Sequence, residues 1–293
     1  MTMTATLSSA TPAPARRRAN VRLYKVLFHV TCLLVALLFL APIALVLLAS
    51  FRPPAMAGNG LLSIQGLGFG NYGRLEDFGT GILHYAGNSL FVAVATAVLT
   101  VVVSVFAGYG FSRFRFPFKA VAFVLILSTI MVPFQSILTP LFLILAKLGL
   151  QNTLSGLVLI YVTLQLPFSV FMMRNAFDAV PKEIEEAARI DGVKGLRALV
   201  YVMGPLVFPA VVSVGLFAFL NAWNEFLAAL VLLTDQDRYT LPVLVTAVRS
   251  GRYGSVDWGA VQAGVTVMMI PCLLLFLALQ RYYIRGLTAG AVK

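Results

Sequence analysis

The stretch Asp178–Pro205, DAVPKEIEEAARIDGVKGLRALVYVMGP, holds Asp178, Glu183, Glu185, Glu186 and Asp191, five of the chain's eleven acidic residues. Apolar runs long enough to cross a bilayer lie on either side of it, so the chain reads as a polytopic membrane protein with an organised charged loop. Pro181 suits the first turn of a helix, and Glu183, Glu185 and Glu186 then set negative charge near its positive N-terminal end. Ile184, Ala187 and Ala188 recur at helical spacing and form one small, shallow apolar face. Gly192 is suited to end the helix in a left-handed conformation that other residues resist. A second helical piece is expected from Val193 towards Pro205, so the loop is expected to be two short helices joined at Asp191-Gly192. Small alanines let a partner backbone approach closely, while the carboxylates and Arg189 supply charge-assisted contacts. A helix lying on the membrane surface is the alternative, but this face has few large apolar residues to anchor in lipid.

The rest of the chain agrees with that class. Of 293 residues 60% are hydrophobic and 11% charged, which excludes an ordinary soluble domain. A bilayer core of about 30 Å needs roughly 20 apolar residues per helix. Uncharged runs meet that need at 26–50, 88–111, 120–146, 156–173 and 259–280. A further apolar region follows Arg197, interrupted by Glu225. It reads as a span from about Gly204 to Ala222, a break, and a half-helix ending near Leu233. The fold class is therefore an all-α polytopic membrane protein with six transmembrane helices. Residues 1–20 are expected to be a disordered cytoplasmic tail, and 21–293 the membrane domain, with core helices over about 88–280 and the loop over 178–204.

Orientation follows from the basic residues. Sixteen of the 22 Lys and Arg fall on the side shared by the N-terminus, the 178–204 loop and the C-terminus, which predicts that both termini are cytoplasmic. The net charge of +11 is dispersed between apolar runs, so no nucleic-acid partner is expected. Cys32 and Cys272 lie far apart in apolar runs without metal-ligand spacing and are expected to be buried and inert. Outside, the loops 52–87 and 234–258 are either receptors for an external partner or solvated connectors.

Polar residues within the spans mark a possible substrate pathway. Asn221, Trp223, Asn224 and Glu225 form the most polar cluster, and amides with an aromatic face suit sugar hydroxyls and rings. Glu225 either faces the pathway or snorkels outward to pair with an external-loop arginine. Gln135 is a further pathway candidate, while Gln165 reads first as an interhelical hydrogen-bonding residue. Catalytic and metal-binding constellations are absent from the sequence.

Glu186-Ala187-Ala188, three residues, Gly192, nine residues, Val202, one residue, then Gly204-Pro205 resembles the E-A-A-x3-G-x9-I-x-L-P signature of permease subunits in bacterial binding-protein-dependent ABC importers. Val202 replaces Ile conservatively; Gly204 replaces Leu, which predicts looser packing after the loop. Asn71-Tyr72, Asn88-Ser89-Leu90, Ala107-Gly108-Tyr109, Phe114-Arg115-Phe116-Pro117, Trp223-Asn224-Glu225-Phe226 and Gly286-Leu287-Thr288-Ala289-Gly290 resemble the maltose-type second permease of the sugar branch. The resemblance implies a type I importer fold in the bacterial cytoplasmic membrane. It implies as partners a homologous second permease, two ATPase subunits and an extracytoplasmic solute-binding protein, with membrane lipid around them and a sugar as cargo. Glu183, Glu186, Ala187, Ala188, Asp191 and Gly192 would then form a coupling helix seated in the ATPase. The chain itself carries no G-x-x-x-x-G-K-[ST] phosphate loop, so it is expected to be non-catalytic and to need no cofactor, the ATP being bound by the partner. The rival is an ion-coupled secondary transporter of a small polar solute, which would bury several ionisable groups, whereas only Glu225 is a candidate here.

Overall fold

The computed structural model describes residues 15–53, 66–193, 195–254 and 256–289. In chain order its helices are α1 (Ala15–Ser50), α2 (Gly70–Glu76), α3 (Ile82–Arg113), α4 (Lys119–Ser128), α5 (Phe134–Lys147), α6 (Leu154–Asp178), α7 (Lys182–Ile190), α8 (Gly204–Asn224), α9 (Leu227–Leu232), α10 (Leu241–Arg249) and α11 (Trp258–Ala289). No strand occurs among the described residues. Five segments, in α1, α3, α6, α8 with the helical turn before it, and α11, are long and apolar enough to span a bilayer, and α4 with α5 makes a sixth bent by 104°.

That bend corrects the expectation of one continuous span over 120–146. Proline lacks an N–H and disfavours helical geometry in the residue before it, and Val132, preceding Pro133, is extended at φ −78° and ψ 120°. Ser128 and Thr129 turn their hydroxyls back onto the carbonyls of Leu125 and Ile126 at 2.8 and 2.7 Å. Carbonyls near the break thus gain side-chain donors inside an apolar environment. The expected break near residue 222 is also present: α8 stops at Asn224 and α9 runs to Leu232.

Hydrogen bonds sort the connections onto two ends. At one end, Asn71 donates to the carbonyls of Ser50 and Arg52, both at 2.7 Å, and Arg74 pairs with Asp257 at 3.0 Å. The same end holds Asn152, whose side chain accepts from the amides of Thr234 and Asp235, and Asn88, which donates to the carbonyls of Asp237 and Tyr239. At the other end Lys119 donates to the carbonyls of Ser112 and Phe114, and Arg113 reaches Val180. The 178–204 segment therefore lies opposite 234–258, as alternation of six spans requires.

The segment 234–258 is more than a solvated connector. Its helix α10 buries Leu241, Val243, Leu244 and Val248, and the Leu241 amide donates to Ser89 Oγ at 2.7 Å. Thr240-Leu241-Pro242 begins a helix for a simple reason: proline is tolerated in the first turn, where its missing N–H leaves no bond unmade.

Helix α3 is the centre of the bundle, packing most extensively on α6 and next on α8. Thr96, Thr100, Ser104 and Gly108 recur every fourth residue along one buried face. A Cβ added at Gly108 would lie 2.6 Å from Met173 Cβ and 2.9 Å from the Arg174 amide nitrogen. There the two backbones touch, and glycine is what permits it. Helix α1, by contrast, meets the bundle through α11 and exposes Leu33, Leu34, Leu37 and Leu38.

Two further expectations change. Cys32 is exposed on α1 and Cys272 is half-buried, so neither belongs to a sealed core. Of the expected tail, residues 1–14 lie outside the described residues, while α1 already begins at Ala15.

Candidate functional site

Helix α7 follows Pro181 and closes as its sequence requires. Gly192 sits at φ +85°, its amide donates to the Arg189 carbonyl at 3.1 Å, and the Val193 amide donates to Ala188 at 2.9 Å. The second helical piece differs from expectation: it is a π-helical turn, Ala198–Met203, that runs directly into α8. Gly195, at φ +58°, makes a second left-handed bend before it.

Adjacent carboxylates on α7 have opposite fates. Glu185 is 4% exposed and faces the bundle. Its Oε1 accepts from Tyr109 Oη and Arg189 Nη2, both at 2.9 Å, and its Oε2 lies 3.0 Å from Arg113 Nε, close but off the line of a hydrogen bond. Glu183, Glu186, Ala187, Asp191 and Gly192 are exposed, and none of these acids forms an ion pair among the described residues. Ala188 is a correction: it turns inward with Glu185 and is covered by its own chain. The outward apolar surface is instead Ile184, Ala187 and Ile190, the last 87% exposed. The sequence grouped Glu185 with Glu183 and Glu186 at the helix N-terminus; its spacing to Arg189 and the arginine ending α3 were the signals for its separate, inward role.

Beneath α7 a cleft of about 590 Å³ opens between Phe106, Tyr109, Phe114, Arg189, Leu196 and Leu199. A neighbouring cavity of about 420 Å³ is lined by Gly204 together with Val105, Phe177, Val200 and Val207. A Cβ added at Gly204 would stand 3.2 Å from the Leu199 carbonyl oxygen, so this glycine sits against backbone at the rim of the cavity.

The pathway candidates divide. Asn221 and Glu225 line a pocket of about 150 Å³ with Thr96, Tyr161 and Gln165, its walls otherwise apolar through Phe134, Leu164, Ala218 and Ala222. Asn221 donates to Gln165 Oε1 at 3.3 Å, the interhelical bond expected of Gln165. Glu225 accepts from Tyr161 Oη and takes the amides of Leu227 and Ala228 at 2.8 and 3.0 Å. It therefore caps α9, and no basic side chain among the described residues pairs with it. Of the two readings of Glu225, the outward one with an arginine partner finds no such pair among the described residues, while the side chain lines the pocket. Trp223 is withdrawn from the pocket: it is 2% exposed, stacks on Phe219 and donates from Nε1 to the Met268 carbonyl at 2.9 Å. Asn224 is exposed and donates to Leu220 O, and Gln135 is exposed just after the 104° break, outside the lining of this pocket.

These placements carry two predictions. Trp223→Ala removes a buried ring and its hydrogen bond, so a loss of about 3–5 kcal/mol is expected; thermal unfolding in detergent reads it, and an unchanged midpoint contradicts the core placement. Glu225→Ala removes the cap and is expected to weaken α9 by about 1 kcal/mol. Faster hydrogen exchange at the Leu227 and Ala228 amides, against retention in Glu225→Gln, checks this.

Comparison with known proteins agrees with this geometry. Residues 100–289 match the family described as "Binding-protein-dependent transport system inner membrane component". The chain is 34% identical to the trehalose/maltose transport system permease protein MalG of Thermococcus litoralis, over 92% of this chain and 98% of that one. It is 33% identical to the osmoprotective compounds uptake permease protein GgtD of Synechocystis, over 92% of each. Among solved structures, a chain of a bacterial ABC transporter involved in the import of the acidic polysaccharide alginate superposes with a TM-score of 0.77 at 26% identity, covering 93% of this chain and 100% of that one. The chain is a multi-pass membrane protein and belongs to the family of inner membrane components of binding-protein-dependent transport systems, the permease subunits of ABC importers.

Proposed function

We propose that the chain forms half of a sugar translocation pathway and couples it, through α7, to ATP hydrolysis on a separate ATPase subunit. The observation that carries this reading is α7 itself: a short helix between two spans whose inward face is tied to the bundle by Glu185 and whose outward face offers carboxylates with no ion-pair partner among the described residues, beside small or apolar side chains. Such a face suits charge-assisted docking into a protein cleft and offers little to lipid. The side with most basic residues also holds this helix, in keeping with a cytoplasmic position in an inner membrane. A homologous second permease completes the pathway, two ATPase subunits drive it, and an extracytoplasmic binding protein delivers the cargo to the opposite end. Sugar as cargo is supported by the trehalose/maltose and polysaccharide relatives and by the Asn221, Gln165 and Thr96 hydroxyl and amide groups around the 150 Å³ pocket. The ion-coupled alternative finds no support at Glu225, whose oxygens are occupied by a tyrosine and two backbone amides.

The test is transport by the four-component system in proteoliposomes, with a panel of mono-, di- and oligosaccharides presented through the binding protein. ATP-dependent uptake of a sugar, lost in Glu186→Lys, is the expected result. Uptake driven by an ion gradient without ATP contradicts it.

A further inference from the structure

The two ends of α7 are attached to the bundle by different chemistry. On its N-terminal side, Arg113, the last residue of α3, donates from Nη2 to the carbonyl of Val180 at 2.8 Å and sets Nε 3.0 Å from Glu185 Oε2. One guanidinium therefore holds both the short connection from α6 and the inward face of α7. The pair is buried, with side chains 5% and 6% exposed, and Glu185 keeps Arg189 and Tyr109 on its other oxygen. Beside it Ser112 Oγ donates to Asp178 Oδ1 at 2.6 Å, and Asp178 also lies 3.4 Å from Arg174. A turn further into the membrane, Gly108 brings the α3 and α6 backbones into contact.

The C-terminal side is held by apolar packing and not by charge. The chain passes Gly192 and Gly195, both at positive φ, and among the described residues beyond their chain neighbours no atom lies within 4 Å of an added Cβ at either. It then enters the π-helical turn, which packs Leu199 and Met203 into the bundle beside Tyr109 and Phe177 but leaves Tyr201 75% exposed and Leu196, just before the turn, 61%. α7 also lies against this turn, but among the described residues that contact includes no hydrogen bond or ion pair. The 590 Å³ cleft separates part of this link from α3.

We infer that α7 moves as a rigid part of the α3–α6 pair, with Arg113 as the positioning residue that fastens it there, and that α8 follows through a compliant link. The inference rests on the coupling role proposed for α7. Displacement of α7 by a partner would be carried to the bundle centre by the two-point guanidinium clamp, because an ion pair between rigid elements resists shear while the two left-handed glycines ahead of the π-helical turn absorb it. Covalent continuity with α8 is then not the main route of force.

The test uses the assembled complex and the ratio of ATPase activity with loaded binding protein to activity without it. Arg113→Met with Glu185→Met removes both charges together, leaving no unpaired charge buried. This complex is expected to retain its ATPase on co-purification while the ratio falls about tenfold. One glycine inserted after Gly195 is expected to leave the ratio within about twofold of the unaltered complex. A full ratio in the double variant, or loss of the ratio on insertion, overturns the inference. Should the double variant fail to assemble, Arg113→Lys keeps the charge but meets its two partners one at a time; an intermediate ratio supports the clamp and an unchanged one overturns it. Glu186→Lys is the control for the underlying reading: if it binds ATPase normally, docking through α7 is wrong, whatever Arg113 does.

Discussion

Gly108→Leu is expected to leave almost no correctly assembled chain in the membrane. Ala and larger residues meet backbone at this position, since the first added carbon would already stand 2.9 Å from the Arg174 nitrogen and from the Met173 carbonyl carbon. Neither can yield without moving α6. Overpacking a tight site costs about 1–3 kcal/mol even where side chains can shift, and here the obstacle is main chain where α3 meets α6. The damage would spread, because α6 leads directly into α7 and α3 carries Arg113. Size-exclusion profiles of detergent extracts read the outcome, with Gly108→Ala falling between the native and leucine forms. A leucine variant that elutes and unfolds like the native chain contradicts the α3–α6 contact.

The second large effect is on docking instead of folding. Glu186→Lys reverses a charge that is exposed and has no ion-pair partner among the described residues, so the chain itself should accumulate normally. Removing one partner of a buried interfacial charge pair costs about 2–5 kcal/mol, so co-purification with the ATPase should fall at least about tenfold. Gly192→Trp should do the same by another route. Its φ of +85° strains any L side chain, and the open space around it means that the indole would protrude from the face proposed for docking. Glu185→Lys has a different signature: it sets a second cation against Arg113 in a sealed site, and chain yield falls before docking can be measured. The contrast between neighbours 185 and 186 is thus a check on which face of α7 looks outward.

Run length and punctuation made most of the architecture legible. Uncharged stretches marked five spans, Glu225 within an apolar region marked the break between α8 and α9, and Gly192 marked the end of α7. What stayed hidden depended on direction. Glu185 and Glu186 are one residue apart, and a helix turns by about 100° per residue, so only the position of α3 decides which one is buried. Trp223 and Asn224 separate for the same reason, one into the core beside Phe219 and the other to the surface. The capping role of Glu225 was visible in principle, as a carboxylate just ahead of the run Leu227-Ala228-Ala229-Leu230, but a lone acid in a span reads first as a pathway residue. The bend at Pro133 was ambiguous because membrane helices tolerate proline, as α5, α6, α8 and α11 do at Pro140, Pro167, Pro209 and Pro271. Helix α10 was masked by the charged residues on either side of it, although Val243, Leu244 and Val248 have helical spacing.

The most direct test of coupling through α7 is a cross-link from its outward face. In a chain with Cys32→Ser and Cys272→Ser, Ala187→Cys sets a thiol at the centre of that face, and Asp237→Cys sets an exposed thiol at the opposite end of the bundle. With a short bismaleimide and the assembled complex, the account predicts a covalent adduct with the ATPase subunit from position 187 and none from position 237. An ATPase adduct from position 237 with none from position 187 contradicts it.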